Sequence, residues 1–257
     1  VRVIEDVQPN ATYRLMMHGS TLHGAQRVSG GDPLEPLTYY GSTTPMGEVV
    51  NAFADAENFG VVGLGVGSLA CQAQEGQDWD FYEIDPIVVD LALDSSQFTY
   101  MSECAPNADI ILGDARVQIA AMPEAKYDVL VIDAFSSNSI PTHLMTTQAL
   151  ALYLEHLKEG GVVTLHISNR VMKLEGLVAR LAESVGATAY HKQSIVTEAE
   201  HHAHIHPSSV VVVSYDANAL TRATQAGGWT KLESDGGQAW SDDFSNILGV
   251  LLTSAKA

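Results

Sequence analysis

The chain has 257 residues, 46% apolar and 17% charged, a balance that excludes a disordered polymer and allows a sizeable core. Its 31 acids against 13 bases give a formal charge of −18, which excludes the basic surface that nucleic acid requires. An acidic field attracts cations such as amines, although the same surface also serves solubility in salt. No run of about 18 apolar residues is present, so no membrane-spanning helix is expected, and the opening residues carry no secretory pattern. Cys71 and Cys104 are the two cysteines. With so few, a disulfide framework is not expected and a reducing compartment, the cytoplasm, is. The chain begins at Val1 rather than Met and is read as a portion of something longer.

Residues 1–45 form short alternating segments, Thr12–Met17 and Leu37–Tyr40, broken by Gly30-Gly31-Asp32-Pro33. They predict a small β-rich N-terminal region, with a second domain over 46–257. In that domain, Val61 and Val62 lead into a turn containing Gly63, Gly65 and Gly67, then a helical segment and a strand from Phe81 to Ile84. A strand at Ala108–Leu112 ends in Gly113-Asp114-Ala115, and a helix over Arg116–Ala121 follows. Tyr127–Ile132 is a near-continuous apolar strand ending in Asp133. A long helix is predicted over Thr146–Lys158, closed by Gly160-Gly161. Then come a strand Val162–Ile167, a helix near Leu174–Ser184, and strands near Thr188–His191 and over Ser209–Ser214. Continuous apolar strands alternating with amphipathic helices predict an α/β fold: a doubly wound, mostly parallel Rossmann-like sheet covered on both faces.

In such sheets the ligand lies outside the carboxyl ends of the strands. That rule gathers Gly63, Gly65 and Gly67, then Glu83-Ile84-Asp85, then Asp114 and Ala115, and finally Asp133 on one rim. Glycines let the backbone turn sharply and approach a ligand, and a helix that starts after them points free N–H groups at it. Glu83 lies 20 positions after Gly63, where an acid at a strand end accepts hydrogen bonds from both hydroxyls of a ribose. The expected ligand is therefore a nucleoside. A strand-terminal Asp also serves as a helix cap, and that reading stays open for each acid taken singly.

These motifs make the resemblance specific. The segments GLGVGSLA, YEIDP, GDA and YDVLVIDAFSSNSIP, continuing to HISNR at 166–170, resemble the spermidine synthase (polyamine aminopropyltransferase) family. That family lies within the wider class of S-adenosylmethionine-dependent transferases of methyltransferase fold. The likeness covers at least residues 55–170, with a weaker match around RLMMHGSTLHGAQ. It is nearest to bacterial homologues whose domain follows a membrane-spanning segment, through the HG-x-x-x-HG-x-Q, YYG and WSDDFSN patterns. Val1 would then mark the edge of a module, with any membrane attachment lying before it.

The resemblance implies a co-substrate, S-adenosylmethionine or its decarboxylated form, no metal, a small amine acceptor and a homodimer. Glu83, with Ile84 beside it, would hold the ribose, and Asp114 and Ala115 would flank the adenine. Gln26 would touch the tail of the ligand. Asp133 would activate the attacking amine with Tyr39, while Tyr40 and the loop at Ser136 would face the acceptor. Two positions depart from the family pattern, Ser136 in place of a second loop Asp and Gly41 in place of a hairpin Glu. Both losses remove carboxylates that would grip a second ammonium, so the expected acceptor is not plain putrescine. Asp242 and Asp243 in WSDDFSN would replace them or would cap a helix over Phe244–Leu252. HHAHIH at 201–206 would align His202, His204 and His206 on one face of a strand, as a polar edge or a substrate-side loop more readily than a metal site. Two alternatives keep the nucleoside site: methyl transfer or lyase chemistry, and a sensor that binds without reaction. A nicotinamide-dependent dehydrogenase shares the glycine turn but fits Asp114, Asp133 and the DAFS loop poorly.

Overall fold

A computed structural model describes residues 1–19, 21–134, 141–169 and 171–251. Three antiparallel strands come first: β1 (Arg2–Val7), β2 (Thr12–His18) and β3 (Thr21–Ser29). Then follow α1 (Pro45–Ala52), β4 (Asn58–Val62), β5 (Asp78–Glu83), α2 (Pro86–Leu93), α3 (Tyr100–Cys104), β6 (Asp109–Leu112) and α4 (Ala115–Ala120). The remainder is β7 (Tyr127–Ile132), α5 (Thr147–Glu155), β8 (Leu157–His166), α6 (Glu175–Val185), β9 (Thr188–Gln193), α7 (Glu198–His202), β10 (Ser209–Ser214), α8 (Ala217–Ala223) and the short β11 (Thr230–Lys231). The main sheet has the order β11-β9-β10-β8-β7-β4-β5-β6. Its β8-β7-β4-β5-β6 half is parallel, and β9, β10 and β11 join antiparallel. This is the expected mostly parallel α/β sheet.

The apolar strands are continuous because both faces are covered. In β7, Val129 and Val131 pack with Val61, Phe81 and α1, while Leu130 and Ile132 pack with Leu150, Tyr153 and Leu177 on the other side. β10 splits in the same way, Val210 and Val212 against Val211 and Val213. Local signals set the helix starts. Thr44 accepts from Gly47 N–H with Pro45 in the first turn of α1, and Asp85 and Asp114 cap α2 and α4.

Several expectations are corrected. The segment after the glycine turn is a short 3₁₀ turn, Ser68–Gln72, so no long helix points its N-terminus at the ligand. The helix predicted to Lys158 stops at Glu155, and Gly160-Gly161 lie inside β8, where the pairing with β7 slips between Tyr127 and Val129. A side chain on Gly161 would press on the backbone of Tyr127 and Asp128, so the strand takes glycine there. Leu37–Tyr40 forms no hairpin strand; Thr38 makes one bridge to Ile205. The histidine run is a helix and turn rather than a strand, because Thr197 and Glu200 form a reciprocal cap that starts α7. No helix spans 244–251; a 3₁₀ turn covers Leu248–Val250.

The cysteines are also corrected. Cys71 and Cys104 are bonded to each other, tying the turn after the glycine loop to α3. A count of two could not reveal that their Cα atoms lie 4.8 Å apart. The cysteine argument for a reducing compartment therefore falls away. Among the described residues no helix is long and apolar enough to cross a membrane.

Candidate active site

β4 and β7 end side by side, and the glycine turn passes between them. Gly63 has φ +97°, and a Cβ there would sit 2.2 Å from the Asp133 carbonyl oxygen. Gly65 has φ +54°, and a Cβ would meet the carbonyl of His23 at 2.4 Å. The first glycine thus lets the two strand ends converge, and the second lets β3 close over the turn. Gly67 faces elsewhere: its Cβ would strike the Met101 side chain.

The acids take up fixed positions on this rim. One Glu83 oxygen accepts from Leu64 N–H at 3.1 Å, and the other from Ile84 and Asp85 N–H at 2.9 and 3.0 Å. The carboxylate therefore orders the glycine turn while facing the pocket. Asp114 caps α4 through Val117 N–H at 3.1 Å, and its second oxygen lies 2.9 Å from His143 Nε2. Asp133 is buried, and both of its oxygens are engaged. Tyr40 donates its hydroxyl to Oδ2, and His166 Nδ1 lies 2.7 Å from Oδ1. Burial, reinforced by the Asp133 charge, pushes the Tyr39 and Tyr40 hydroxyls well above the ordinary phenol range, so both remain proton donors.

A cavity of about 230 Å³ opens among these groups. It is lined by Tyr39, Tyr40, Gly63, Gly65, Glu83, Ile84, Asp114, Ala115 and Asp133, all expected from sequence, and by Thr21, Leu22, His23, Tyr82, His143 and Leu144, which were not. No Lys or Arg is among its described lining residues, whereas three carboxylates are. Such a pocket favours a cationic ligand.

Burial lowers the His23 pKa, so its imidazole is neutral near pH 7. The unfolded chain then takes up this proton first as pH falls below about 6.5, and stability declines until the folded pKa is passed. His23→Gln should lose less stability than the parent chain between pH 7.5 and 5.5 in urea titrations. An unchanged decline would remove His23 as a source.

Four expected site residues fall outside the cavity, and Ser136 lies outside the described residues. Gly67 is one. Gln26 is buried with its amide bonded to Pro33 carbonyl, Thr99 hydroxyl and Thr99 N–H at 3.0, 2.7 and 2.9 Å, contacts that brace β3. Asp242 accepts a forked pair of hydrogen bonds from Arg116 at 2.7 and 2.6 Å, and one from Thr146 at 2.8 Å. That contact holds its carboxyl below the usual range. Asp243 lies beside it on a separate shallow groove. Asp242→Ala should therefore leave nucleoside affinity within about twofold and cost roughly 1 kcal/mol of stability, the scale of an exposed ion pair. A tenfold loss of affinity in calorimetry would return Asp242 to the site.

The histidine run instead clamps the N-terminal sheet. His204 Nε2 lies 2.8 Å from Asp6 Oδ2, its ring meets Tyr13 edge-on at 4.7 Å, and Thr38 exchanges backbone bonds with His204 and His206 at 2.8 Å each. This clamp holds the strap that carries Tyr39 and Tyr40. His166, a site residue missed from sequence, ends β8 on the same rim as Asp133. The strand-end rule would have flagged it had histidines been read like acids.

No protein-family model matches the chain. A polyamine aminopropyltransferase of Vibrio vulnificus is 35% identical over 108 residues, 40% of this chain and 35% of that protein. The chain is spermidine synthase-like. A probable polyamine aminopropyl transferase of Bifidobacterium longum is 28% identical over 163 residues, 62% of this chain and 34% of the relative. Both matches thus span about a third of the relatives' length. In fold, a probable spermidine synthase from Corynebacterium glutamicum superposes with a TM-score of 0.61 at 16% identity, covering 96% of this chain and 99% of that one.

Proposed function

We propose that this spermidine synthase-like chain transfers an aminopropyl group from decarboxylated S-adenosylmethionine to a small amine. The observation that carries this reading is the cavity's lining, which among the described residues holds three carboxylates and no Lys or Arg, with Glu83 fixed at the end of β5 for a ribose. A sulfonium with an ammonium tail suits that lining. A donor that keeps its carboxylate would find no cationic partner among the described lining residues.

In the reaction, the amine lone pair forms a bond to the carbon beside the sulfonium, the carbon–sulfur bond breaks, and its electrons neutralise the sulfur as methylthioadenosine leaves. The ammonium form of the acceptor must first lose a proton. Asp133, with Tyr39 and Tyr40 around it, supplies the buried negative charge that offsets the cation at this point. Positioning of donor and acceptor supplies much of the acceleration.

A second cavity of about 880 Å³ adjoins the first, and Thr21, Leu22 and Tyr39 border both. Its wall carries His166, His201, His202 and His206, with Glu175 and Glu198 as its acids. This roomier, imidazole-rich wall supports an acceptor other than plain putrescine. A homodimer belongs to the same reading, carried over from the family resemblance.

Mass spectrometry of products tests the proposal. Purified protein is incubated with either donor form, with and without linear diamines of three to five carbons and spermidine. The expected result is methylthioadenosine appearing only with the decarboxylated donor and an amine, together with the amine grown by one aminopropyl unit. S-adenosylhomocysteine, or methylthioadenosine without consumption of an amine, would replace transfer by methylation or cleavage. Intact donor in every tube would leave a binding domain.

A further inference from the structure

We propose that Ser168 and His166 form a proton relay that takes the acceptor's proton from the second cavity to the His166 imidazole, which the buried Asp133 carboxylate holds. The inference rests on the transfer reading above and assigns its base. Three contacts define the chain. Asp133 Oδ1 lies 2.7 Å from His166 Nδ1, His166 Nε2 lies 2.6 Å from Ser168 Oγ, and Ser209 N–H donates to the same Oγ at 2.8 Å.

A carboxylate oxygen accepts, so the contact at Asp133 Oδ1 places a proton on His166 Nδ1, and in the tautomer protonated there Nε2 is the acceptor. Ser168 must then donate its hydroxyl to Nε2. Its oxygen has two lone pairs, one of which takes Ser209 N–H. The other is left for a donor in the second cavity, which Ser168 and His166 both line. An ammonium there can give its proton to Ser168 Oγ as Ser168 passes its own to Nε2. The products are a neutral amine and an imidazolium paired with Asp133, with no net change in charge.

Burial explains why Asp133 does not act alone. The Asp133 and His166 side chains are 2% and 4% exposed, and the second carboxylate oxygen holds the Tyr40 hydroxyl. Both carboxylate oxygens thus already hold a partner, and the imidazole edge leads to the second cavity through Ser168. The Tyr39 ring, 4.1 Å from the His166 ring, fixes the imidazole plane.

Groups that share the environment of His166 are Asp133 at the end of β7, Tyr39 and Tyr40 on the strap, His191 on β9, Glu175 on α6, and Glu198 and the histidines of α7 and the turn after it. Of these, the cavity-facing Glu175, Glu198, His201, His202 and His206 lie on the wall with Ser168 and set the charge around the relay.

The test compares His166→Gln and Ser168→Ala with the parent chain. Methylthioadenosine binding is measured by calorimetry, and kcat and KM with decarboxylated donor and the amines above are followed from pH 6 to 9. Both variants should bind methylthioadenosine within about threefold of the parent. His166→Gln should lose kcat by roughly 10²-fold or more, the scale of a general base, with KM little changed. The parent kcat should fall towards acid pH, and His166→Gln should lack that limb. Added imidazole should restore part of the activity of His166→Gly. Turnover within threefold of the parent in His166→Gln, or an acid limb that persists in it, would overturn the relay while leaving transfer intact. Should His166→Gln fail to fold, Ser168→Ala decides by the same criteria. A parent chain that binds methylthioadenosine yet transfers to no amine overturns the transfer reading itself, and the relay with it.

Discussion

Asp133→Asn is expected to lower turnover by roughly 10²–10⁴-fold while leaving methylthioadenosine affinity within about threefold. Two donors converge on this carboxylate, the Tyr40 hydroxyl and His166 Nδ1–H. An amide accepts from one of them and turns its N–H groups towards the other, so the Tyr40 hydroxyl must rotate to accept or His166 must move its proton to Nε2. A partner left unsatisfied costs roughly 1–3 kcal/mol of stability, and the substitution removes the charge that offsets an imidazolium or ammonium at the rim. Unfolding in urea and steady-state turnover separate the two effects. Full activity in Asp133→Asn would show that the assigned carboxylate takes no part in the chemistry.

Glu83→Ala should act on the opposite parameter. Two ribose hydroxyls lose a charged acceptor, and at a partly solvated site the lower end of the charged hydrogen-bond range gives roughly 3 kcal/mol, about a hundredfold in Kd for methylthioadenosine. The same carboxylate accepts from Leu64 N–H, so the glycine turn also loses its brace. Glu83→Gln keeps one acceptor and should fall between. Unchanged affinity in calorimetry would remove the ribose assignment. Together the two variants divide the site: one loses binding, the other loses turnover.

The parts of this site legible in the sequence are those with a local signature. Gly63 and Gly65, then Glu83, Asp114 and Asp133, each follow an apolar strand directly, so their place on the rim follows from strand direction alone. The sequence is silent where a side chain's partner lies far along the chain. Gln26, expected at the ligand, is held by Thr99, and Asp242, expected at the acceptor or as a helix cap, is held by Arg116. His23 sits in the HG-x-x-x-HG-x-Q segment, and only the closure of β3 over Gly65 places it on the pocket wall.

By itself, the sequence determined the α/β class, the mostly parallel sheet and the rim of strand-end acids, because hydrophobic periodicity and turn chemistry act over a few residues. Only the tertiary structure decided which polar groups remain open to a ligand. It paired Cys71 with Cys104, joined His166 to Asp133 across 33 positions, and engaged both carboxylate oxygens of the expected base. The physical reason is burial: an interior polar group must find a partner wherever the fold supplies one, and spacing along the chain does not say which partner that will be.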